Sequence, residues 1–399
     1  MILVRRGKPR REKESLGMKK QMQAQEQIRT GSGSFSAPPE DGNEAARVLV
    51  AMSGGVDSSV AAYLVKERGY AGVGCTMKLY ENEDAGIPRA HTCCSLDDVE
   101  DARAVAYRLG MPYYVFQFSD DFREEVIGRF VRGYEAGITP NPCIECNRRM
   151  KFDKLFQRAE ILGCRYVVTG HYARIAETPE GFLLKKALDD TKDQSYVLYS
   201  MTQEQLAHTL FPLGELTKTE VREIAARAGF GNAHKPDSQD ICFVPDGDYA
   251  KVVAAHTGRE PEPGDFVDTE GRYLGRHRGI IHYTVGQRRG LGIAAGEPLY
   301  VVKILPEENR VVLGREADLY RRDCRVGSLH WIAGAPPAGE FTCKAKTRYR
   351  QTEREVRVTV RAGGEADLLF TEPQRAMTPG QAAVFYDGDV VLGGGEILP

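Results

Sequence analysis

The sequence predicts an α/β protein with an N-terminal parallel sheet and a C-terminal antiparallel β-barrel. Three observations support this prediction. From Arg47 to about residue 170, short apolar runs alternate with stretches of helical periodicity, which is the pattern of βαβ units. From about Asp265, short β-type runs separated by turn residues replace that alternation, as is typical of antiparallel barrels. The length of 399 residues is sufficient for two or three domains.

The N-terminal elements follow one another at the spacing of a parallel sheet. Strands are predicted at Val48–Met52, Gly72–Leu79, Tyr113–Phe118 and Tyr166–Thr169. Helices are predicted at Ser58–Arg68, Leu96–Leu109, Asp121–Ala136 and Phe152–Leu162. Ligands of such sheets bind at the carboxyl ends of the strands, so we expect the residues that follow these strands to form one site.

The remaining elements are shorter. Two helical patterns cover Thr202–Phe230, and Thr219 is the predicted N-cap of the second helix, Glu220–Ala228. The β-type runs are Ile280–Thr284, Leu299–Ile304, Arg310–Leu313, Thr342–Arg348, Glu355–Val360, Ala366–Phe370, Ala382–Tyr386 and Val390–Leu392. Residues 1–44 are rich in Lys, Arg, Gln, Gly, Ser and Pro without a sustained apolar period, which predicts a disordered extension.

Composition narrows the class of protein. An apolar fraction of 42% suits packed cores, and a net charge of −2 excludes a uniformly basic nucleic-acid binder, so any RNA contact must come from local patches. Runs of about 18 apolar residues are absent, so no membrane span is expected. Nine scattered cysteines and the lack of a secretory signal predict a reducing, cytoplasmic setting.

The segment Ser53–Ser59, SGGVDSS, directly follows an apolar strand and opens a helix. Adjacent glycines allow a tight turn that brings N–H groups onto an anion, and the helix N-terminus adds partial positive charge. Asp57 is suited to hold a metal ion or to cap the helix. The Gly-Lys-Ser/Thr ending of a Walker loop is missing. A phosphate-binding loop is therefore favoured over the alternative, an ordinary strand–turn–helix with a side-chain cap.

Cys143 and Cys146 form a CxxC pair stiffened by two prolines and followed by three cationic residues between 148 and 151. Cationic neighbours and a helix N-terminus are expected to lower the pKa of these thiols. Cys242 can join them only if the chain folds back. A structural zinc site would need a second CxxC pair, which the sequence lacks, and inert buried thiols are the other alternative. Sulfur or redox chemistry is favoured over both.

Together with further motifs, these segments resemble the tRNA-specific 2-thiouridylases. That family of ATP-pyrophosphatases replaces O2 of the wobble uridine, position 34 of the tRNA, with sulfur. The resembling segments cover nearly everything after residue 46 in order: Met52–Ser59, Thr76–Lys78, Thr139–Phe152, Thr169–Tyr172, Lys192–Tyr196, Asp237–Phe243, Thr284–Gly292, Lys346–Gln351 and Thr378–Phe385. The resemblance implies an ATP-pyrophosphatase catalytic domain (adenine nucleotide alpha hydrolase-like) at 45–210, a small central domain at 211–285 and a C-terminal β-barrel at 286–399.

The resemblance also implies binding sites. ATP, with Mg²⁺, is expected at Ala51, Met52, Ser53, Gly54, Gly55, Val56, Asp57, Ser58, Met77 and Gly170. Contacts to tRNA are expected at Asn141, Pro142, Cys143, His171, Lys192, Asp193, Gln194, Arg348, Tyr349 and Gln381, the first three around the target base. The implied partners are the tRNAs for Lys, Glu and Gln and a cysteine desulfurase or sulfur-relay protein.

The resemblance implies two alternative routes for the transfer of sulfur to the uridine. In the persulfide route, Cys146 is the nucleophile and Cys242 carries the persulfide. Many relatives have Asp where this chain has Cys143, and the extra thiol offers an alternative: an iron–sulfur cluster held by Cys143, Cys146 and Cys242. Cys93 and Cys94 receive no firm role.

Two other functions compete with thiolation. One is an ATP-pyrophosphatase that adenylates a small metabolite, which would need neither the Arg348–Arg350 segment nor the three cysteines. The other is a non-catalytic RNA binder, against which the intact SGGVDSS loop argues.

Overall fold

A computed structural model of the protein describes residues 45–80, 96–236, 241–244, 246–337 and 339–399. The predicted disordered extension at 1–44 lies outside the described residues, as do Cys93, Cys94 and the segment 237–240. Among the residues that are described, no helix has both the length and the apolar character needed to cross a membrane.

The N-terminal part is built on a five-stranded sheet in the order β3-β2-β1-β4-β7. All of its strand pairs are parallel, as the sequence predicts. Its strands are β1 (Arg47–Ala51), β2 (Ala71–Lys78), β3 (Tyr113–Gln117), β4 (Tyr166–Val168) and β7 (Thr209–Leu210). The four strands predicted before residue 170 are therefore confirmed, each to within one residue at either end.

Helices cover both faces of this sheet: α1 (Val56–Glu67), α2 (Leu96–Arg108), α3, α4, α5 (Gln203–Ala207), α6 (Lys218–Arg227) and α7 (Tyr249–Thr257). Helix α3 combines α-helical Ser119–Phe122 and Gly128–Glu135 with a π-helical stretch between them, Arg123–Ile127. Helix α4 is built in the same way from Pro142–Glu145, π-helical Cys146–Lys154 and Leu155–Ile161. Such π-helical stretches are often found at functional sites.

Successive side chains of β1 point to opposite faces of the sheet. Val48 and Val50 belong to a core that includes residues of α1, α2 and α6. Leu49 belongs to the opposite core, with residues of α3, α4 and α7. Burial of both faces explains why the strand is a continuous apolar run.

The remaining strands pair antiparallel, except that β8 and β11 run parallel to each other. Those after residue 260 are β8 (Gly264–Val267), β9 (Tyr273–His277), β10 (Tyr300–Leu305), β11 (Arg310–Gly314), β12 (Tyr320–Trp331), β13 (Glu340–Lys346), β14 (Arg354–Arg361), β15 (Glu365–Arg375), β16 (Ala382–Asp387) and β17 (Val390–Ile397). Pairing of β12 with β17 closes the barrel β12-β15-β14-β13-β16-β17, which confirms the predicted barrel. A hairpin of β5 (Ala173–Thr178) and β6 (Gly181–Lys186) extends from β17. Strands β8–β11 form a separate four-stranded sheet.

Two local predictions are wrong. The run Ile280–Thr284 is not a strand, because Ile280–His282 forms a 3₁₀ turn. That turn lets Ile281 contact the core of α3 and α7 while Tyr283 contacts the core of the β8–β11 sheet. The N-cap of α6 is Thr217 and not Thr219, because the Thr217 hydroxyl accepts from the Glu220 amide and the Glu220 carboxylate accepts from the Thr217 amide.

Candidate functional site

A deep cavity of about 1870 Å³ opens where β1, β2 and β4 end. Its wall includes residues of the parallel-sheet part, the β8–β11 part and the barrel. Each residue that the sequence predicts for ATP, tRNA or catalysis lines this cavity, except Gly54. The structure thus brings the predicted residues together, and their individual roles stay predictions.

The segment Ser53–Ser58 forms a tight loop between β1 and α1. Gly54 has φ +76°, and a Cβ there would lie 2.3 Å from the carbonyl oxygen of Asp98, so only glycine fits. The Ser53 amide donates to the Ser58 hydroxyl at 3.1 Å. Among the described residues, no side chain caps α1 at Gly55, and amides of a first helical turn that lack a cap suit an anion. This geometry disfavours the ordinary capped strand–turn–helix.

The loop is also held from outside. Asn232, which is buried, donates through Nδ2 to the Gly54 carbonyl and to the Ser59 hydroxyl, both at 2.9 Å. On the other side, the Thr76 hydroxyl donates to the Met52 carbonyl at 2.6 Å. Sequence analysis missed Asn232, because no local pattern connects it to a loop 178 residues away.

Asp57 neither caps the helix nor stands alone. Both of its carboxylate oxygens lie 2.8 Å from Nζ of Lys218, and the Tyr172 hydroxyl donates to Oδ1 at 2.8 Å. Gly170 approaches so closely that a Cβ there would lie 2.8 Å from the Ser58 amide nitrogen. Lys218 was also missed, although the Thr-x-x-Glu pattern around it could have located the start of α6.

The three predicted thiols line the same cavity. Cys143 is exposed to it from the first turn of α4, where Asn141 Oδ1 accepts from the Cys143 amide at 3.1 Å. Cys146 and Cys242 are half-buried and pack against the same apolar core. The Tyr80 hydroxyl donates to the Cys242 carbonyl at 2.6 Å. The chain therefore does fold back to bring Cys242 to this wall.

The predicted lowering of the thiol pKa values is wrong. Although Cys143 is exposed to the cavity, the surrounding protein desolvates its thiol, and this effect together with the neighbouring Cys146 raises its pKa to about 11. Burial also raises the pKa of Cys146, and in both cases the charge of Lys151 opposes the rise without cancelling it. Arg148 and Arg149 form ion pairs with Glu145 at 3.4 and 3.7 Å.

The structure gives no support for an iron–sulfur cluster. Within the described parts of the chain, no three His, Cys, Asp or Glu side chains are grouped so as to hold a metal ion. Cys143, Cys146 and Cys242 share a cavity, and the cluster route through them stays a hypothesis.

Two predicted tRNA contacts are buried and internally bonded. The Asp193 carboxylate accepts from the Ala187 amide at 3.1 Å and from the Ser195 amide and hydroxyl at 3.2 and 2.8 Å. His171 lies 2.7 Å from the Thr169 hydroxyl through Nδ1. Burial, together with the charge of Lys151, lowers the pKa of His171 well below its usual value, so its ring is neutral. Because the Asp193 carboxylate is bonded to Ala187 and Ser195, it shapes the loop that contains it.

Two other residues predicted to contact tRNA, Arg348 and Gln381, form hydrogen bonds between the barrel and neighbouring segments. Arg348 donates through Nη2 to the Val285 carbonyl at 3.0 Å and to the Thr378 hydroxyl at 2.5 Å. Gln381 donates to the carbonyl of Thr139, just before Asn141, at 2.7 Å. Tyr349 remains partly exposed at the cavity wall. These bonds fix how the barrel meets the segment that carries Cys143.

Family models match most of the chain. The model described as "tRNA methyl transferase HUP domain" matches residues 46–246. Those described as "tRNA methyl transferase PRC-barrel domain" and "Aminomethyltransferase beta-barrel domain" match residues 250–315 and 321–397. The domain limits predicted from the sequence, at residues 210 and 285, differ from the limits of these matches and stay predictions.

Curated relatives are similar over their whole length. The tRNA-specific 2-thiouridylase MnmA of Lachnoclostridium phytofermentans is 51% identical over 354 residues, covering 88% of this chain and 99% of the relative. This chain belongs to the tRNA-specific 2-thiouridylase family. The family member from Clostridioides difficile, also named MnmA, is 48% identical over 88% of this chain and 98% of its own.

Similarity to solved structures is much weaker. A 4-thiouridine synthetase in complex with RNA and bound ATP is 17% identical, covers 54% of each chain and has a TM-score of 0.32. The family assignment rests on the relatives and on the family models.

Proposed function

We propose that this protein is a tRNA-uridine 2-sulfurtransferase that forms 2-thiouridine at position 34 of tRNA. The observation that carries the proposal is the cavity in which an uncapped phosphate-type loop and the thiols of Cys146 and Cys242 meet. Family membership supports the same activity, since the relatives are named tRNA-specific 2-thiouridylases.

ATP is the first substrate, and the loop fits its phosphates. The uncapped amides of α1 and the close approach of Gly54 and Gly170 make a cradle that a Cβ would fill. Residues 51–58 would hold the phosphates, and Met77 with Gly170 would line the adenine side. Mg²⁺, when bound, would supply positive charge to the leaving pyrophosphate. Asp57 is the carboxylate of the loop, and both of its oxygens are paired with Lys218 in this structure.

The tRNA must present its wobble base inside the cavity. A base in the anticodon stack cannot reach such a depth, so it has to be extruded. Asn141, Pro142 and Cys143, at the start of α4, would surround it. Lys192, Gln194 and Tyr349 lie on the same wall and would contact the surrounding RNA. O2 of the uracil then attacks the α-phosphorus of ATP, and pyrophosphate leaves.

Sulfur transfer follows by the persulfide route. The terminal sulfur of a Cys242 persulfide attacks C2, AMP leaves, and a Cys242–S–S–C2 adduct remains. The Cys146 thiolate attacks Sγ of Cys242, which releases 2-thiouridine and leaves a Cys146–Cys242 disulfide. A dithiol reductant then restores both thiols. A cysteine desulfurase or relay protein would reload Cys242, and this cycle suits the reducing cytoplasm.

The test uses the full chain with ATP, a persulfide donor and tRNA transcripts for Glu, Lys or Gln. Nucleoside mass spectrometry should show 2-thiouridine with uridine at position 34 and none with cytidine there, together with tRNA-dependent AMP. Cys146→Ser and Cys242→Ser should abolish the product, and Cys343→Ser, outside the cavity, should retain it. AMP formation that ignores tRNA would instead support a metabolite-adenylating enzyme. Tight tRNA binding without AMP would support a non-catalytic binder.

A further inference from the structure

Asp57 of the phosphate loop has two partners from outside the loop, Tyr172 and Lys218. Each partner is also hydrogen-bonded to the same neighbouring segment, residues 189–194. Residues 190–194 line the cavity and include the predicted RNA contacts Lys192 and Gln194. The phosphate loop and the predicted RNA-binding segment are thus connected through two separate sets of hydrogen bonds.

The first connection runs through Tyr172. Its hydroxyl donates to Asp57 Oδ1 at 2.8 Å. Its backbone is paired with Gln194 in both directions: the Tyr172 amide donates to Gln194 Oε1 at 3.0 Å, and the Gln194 amide donates to the Tyr172 carbonyl at 2.9 Å. A displacement of Gln194 therefore moves the backbone of Tyr172.

The second connection runs through Lys218, the first residue of α6. Its ammonium group bridges both Asp57 oxygens at 2.8 Å, and its side chain is only 12% exposed. Its backbone amide donates to Asp189 Oδ2 at 3.0 Å. Asp189 in turn accepts from the Thr191 amide and hydroxyl at 3.1 and 2.6 Å. The carboxylate of Asp189 thus fixes both the segment and the start of α6.

We propose that Tyr172 and Lys218 are positioning residues that couple RNA binding on segment 189–194 to nucleotide binding at the phosphate loop. The inference rests on the proposed function, because it takes tRNA as the ligand of that segment. An RNA that orders the segment also orders both partners of Asp57, so the loop loses less conformational freedom when ATP arrives. The coupling is positive, and by linkage ATP tightens tRNA binding by the same factor.

The experiment measures the dissociation constant of α,β-methylene-ATP, which cannot be cleaved between those phosphates, with and without a uridine-34 tRNA transcript. We expect tRNA to tighten wild-type binding by on the order of tenfold. In Tyr172→Phe, which removes only the hydroxyl, and in Lys218→Met, the ratio of the two constants should fall toward one, because each variant loses one of the two connections. The tRNA dissociation constant, measured with and without the analogue, should change by the same ratio.

Two control variants remove equivalent groups elsewhere. Tyr70→Phe deletes a hydroxyl of another buried tyrosine in the same core, and Lys154→Met breaks an ion pair with Asp121 outside the cavity. Both should keep the wild-type ratio. If Lys218→Met does not fold, Tyr172→Phe decides alone.

A wild-type ratio of one overturns the inference. So do variants that weaken nucleotide binding equally with and without tRNA, because that is the result of a merely structural role. The same wild-type preparation is assayed for 2-thiouridine. If 2-thiouridine is formed but tRNA and nucleotide binding are not coupled, only this inference is contradicted. If no 2-thiouridine is formed, the proposed function itself is contradicted.

Discussion

Nζ of Lys151 lies 3.3 Å from Nε2 of His171, and Nδ1 of the same ring lies 2.7 Å from the Thr169 hydroxyl. Since the buried ring is neutral, Nε2 accepts from the ammonium group and Nδ1–H donates to Thr169. Lys151 belongs to the π-helical turn that begins at Cys146. Bonding from i to i+5 brings residues five apart nearly above one another, whereas an α-helix would separate them by about 140°. Helix geometry and His171 thus hold Lys151 on the side of the thiols.

Replacing Lys151 by Met should raise the pKa of Cys146 and Cys143 further, because a positive charge that opposes the effect of burial is lost. Below the pKa, each unit of rise lowers the thiolate fraction about tenfold. The measurement is the rate of iodoacetamide labelling of each thiol against pH, with tandem mass spectrometry to separate the two. Lys154→Met, whose lysine pairs with Asp121, is the matched control and should leave both profiles in place. Unchanged profiles in Lys151→Met would contradict the assignment.

Gly54→Ala should destabilise the protein and abolish ATP binding. The added Cβ would meet the Asp98 carbonyl at 2.3 Å in a backbone with φ +76°, and such strain costs on the order of 1–3 kcal/mol. Gly55→Ala is the matched control, since its Cβ meets nothing closer than the Ser53 hydroxyl at 3.5 Å. Urea unfolding should separate the two variants. Equal midpoints for both would refute the close approach.

Acid should unfold the protein partly through His171. Its folded pKa lies well below the unfolded value of about 6.5, so the unfolded chain takes up the proton first as the pH falls, and stability decreases. The loss of stability sets in as the pH falls through about 6.5 and continues down to the folded-state pKa of His171. His171→Asn should lose that part of the pH dependence of the free energy of unfolding. His208→Asn, at an exposed position, should keep the full pH dependence of the free energy of unfolding. Equal pH dependence of that free energy in the two variants would contradict the prediction.

Cys143→Ser should retain 2-thiouridine formation, and the wild type should bind no iron during anaerobic reconstitution. The reason is that the persulfide route uses only Cys146 and Cys242, and that no three His, Cys, Asp or Glu side chains of the described residues are grouped to hold a metal ion. Iron and labile sulfide are assayed beside the product, with Cys146→Ser as the inactive comparison. A stoichiometric cluster in the wild type that is lost together with activity in Cys143→Ser would restore the cluster route.

Much of the fold could be predicted because its determinants are local. The strands of the parallel sheet are apolar runs buried on both faces, and the phosphate-type loop depends on consecutive residues from Ser53 to Ser58. Turn residues between alternating runs were enough to indicate the barrel. Resemblance to a family with the same ordered motifs added the site residues, which the structure brings to one cavity.

Other features depended on contacts that no local pattern contains. The Asp57–Lys218 pair joins residues 161 positions apart, and Asn232 reaches the loop from a similar distance. The expected lowering of the thiol pKa values was wrong because it counted nearby cations in the sequence. In three dimensions Arg148 and Arg149 pair with Glu145, and burial outweighs the charge of Lys151.

The sequence by itself therefore determined the parallel sheet, the phosphate-type loop, the barrel and the family, because each depends on residue types at short, ordered spacing. Only the tertiary structure decided which side chains meet across the cavity, which partner Asp57 takes and in which direction the thiol pKa values shift. Burial and pairing are properties of the packed chain, and they follow from contacts between segments far apart in the sequence.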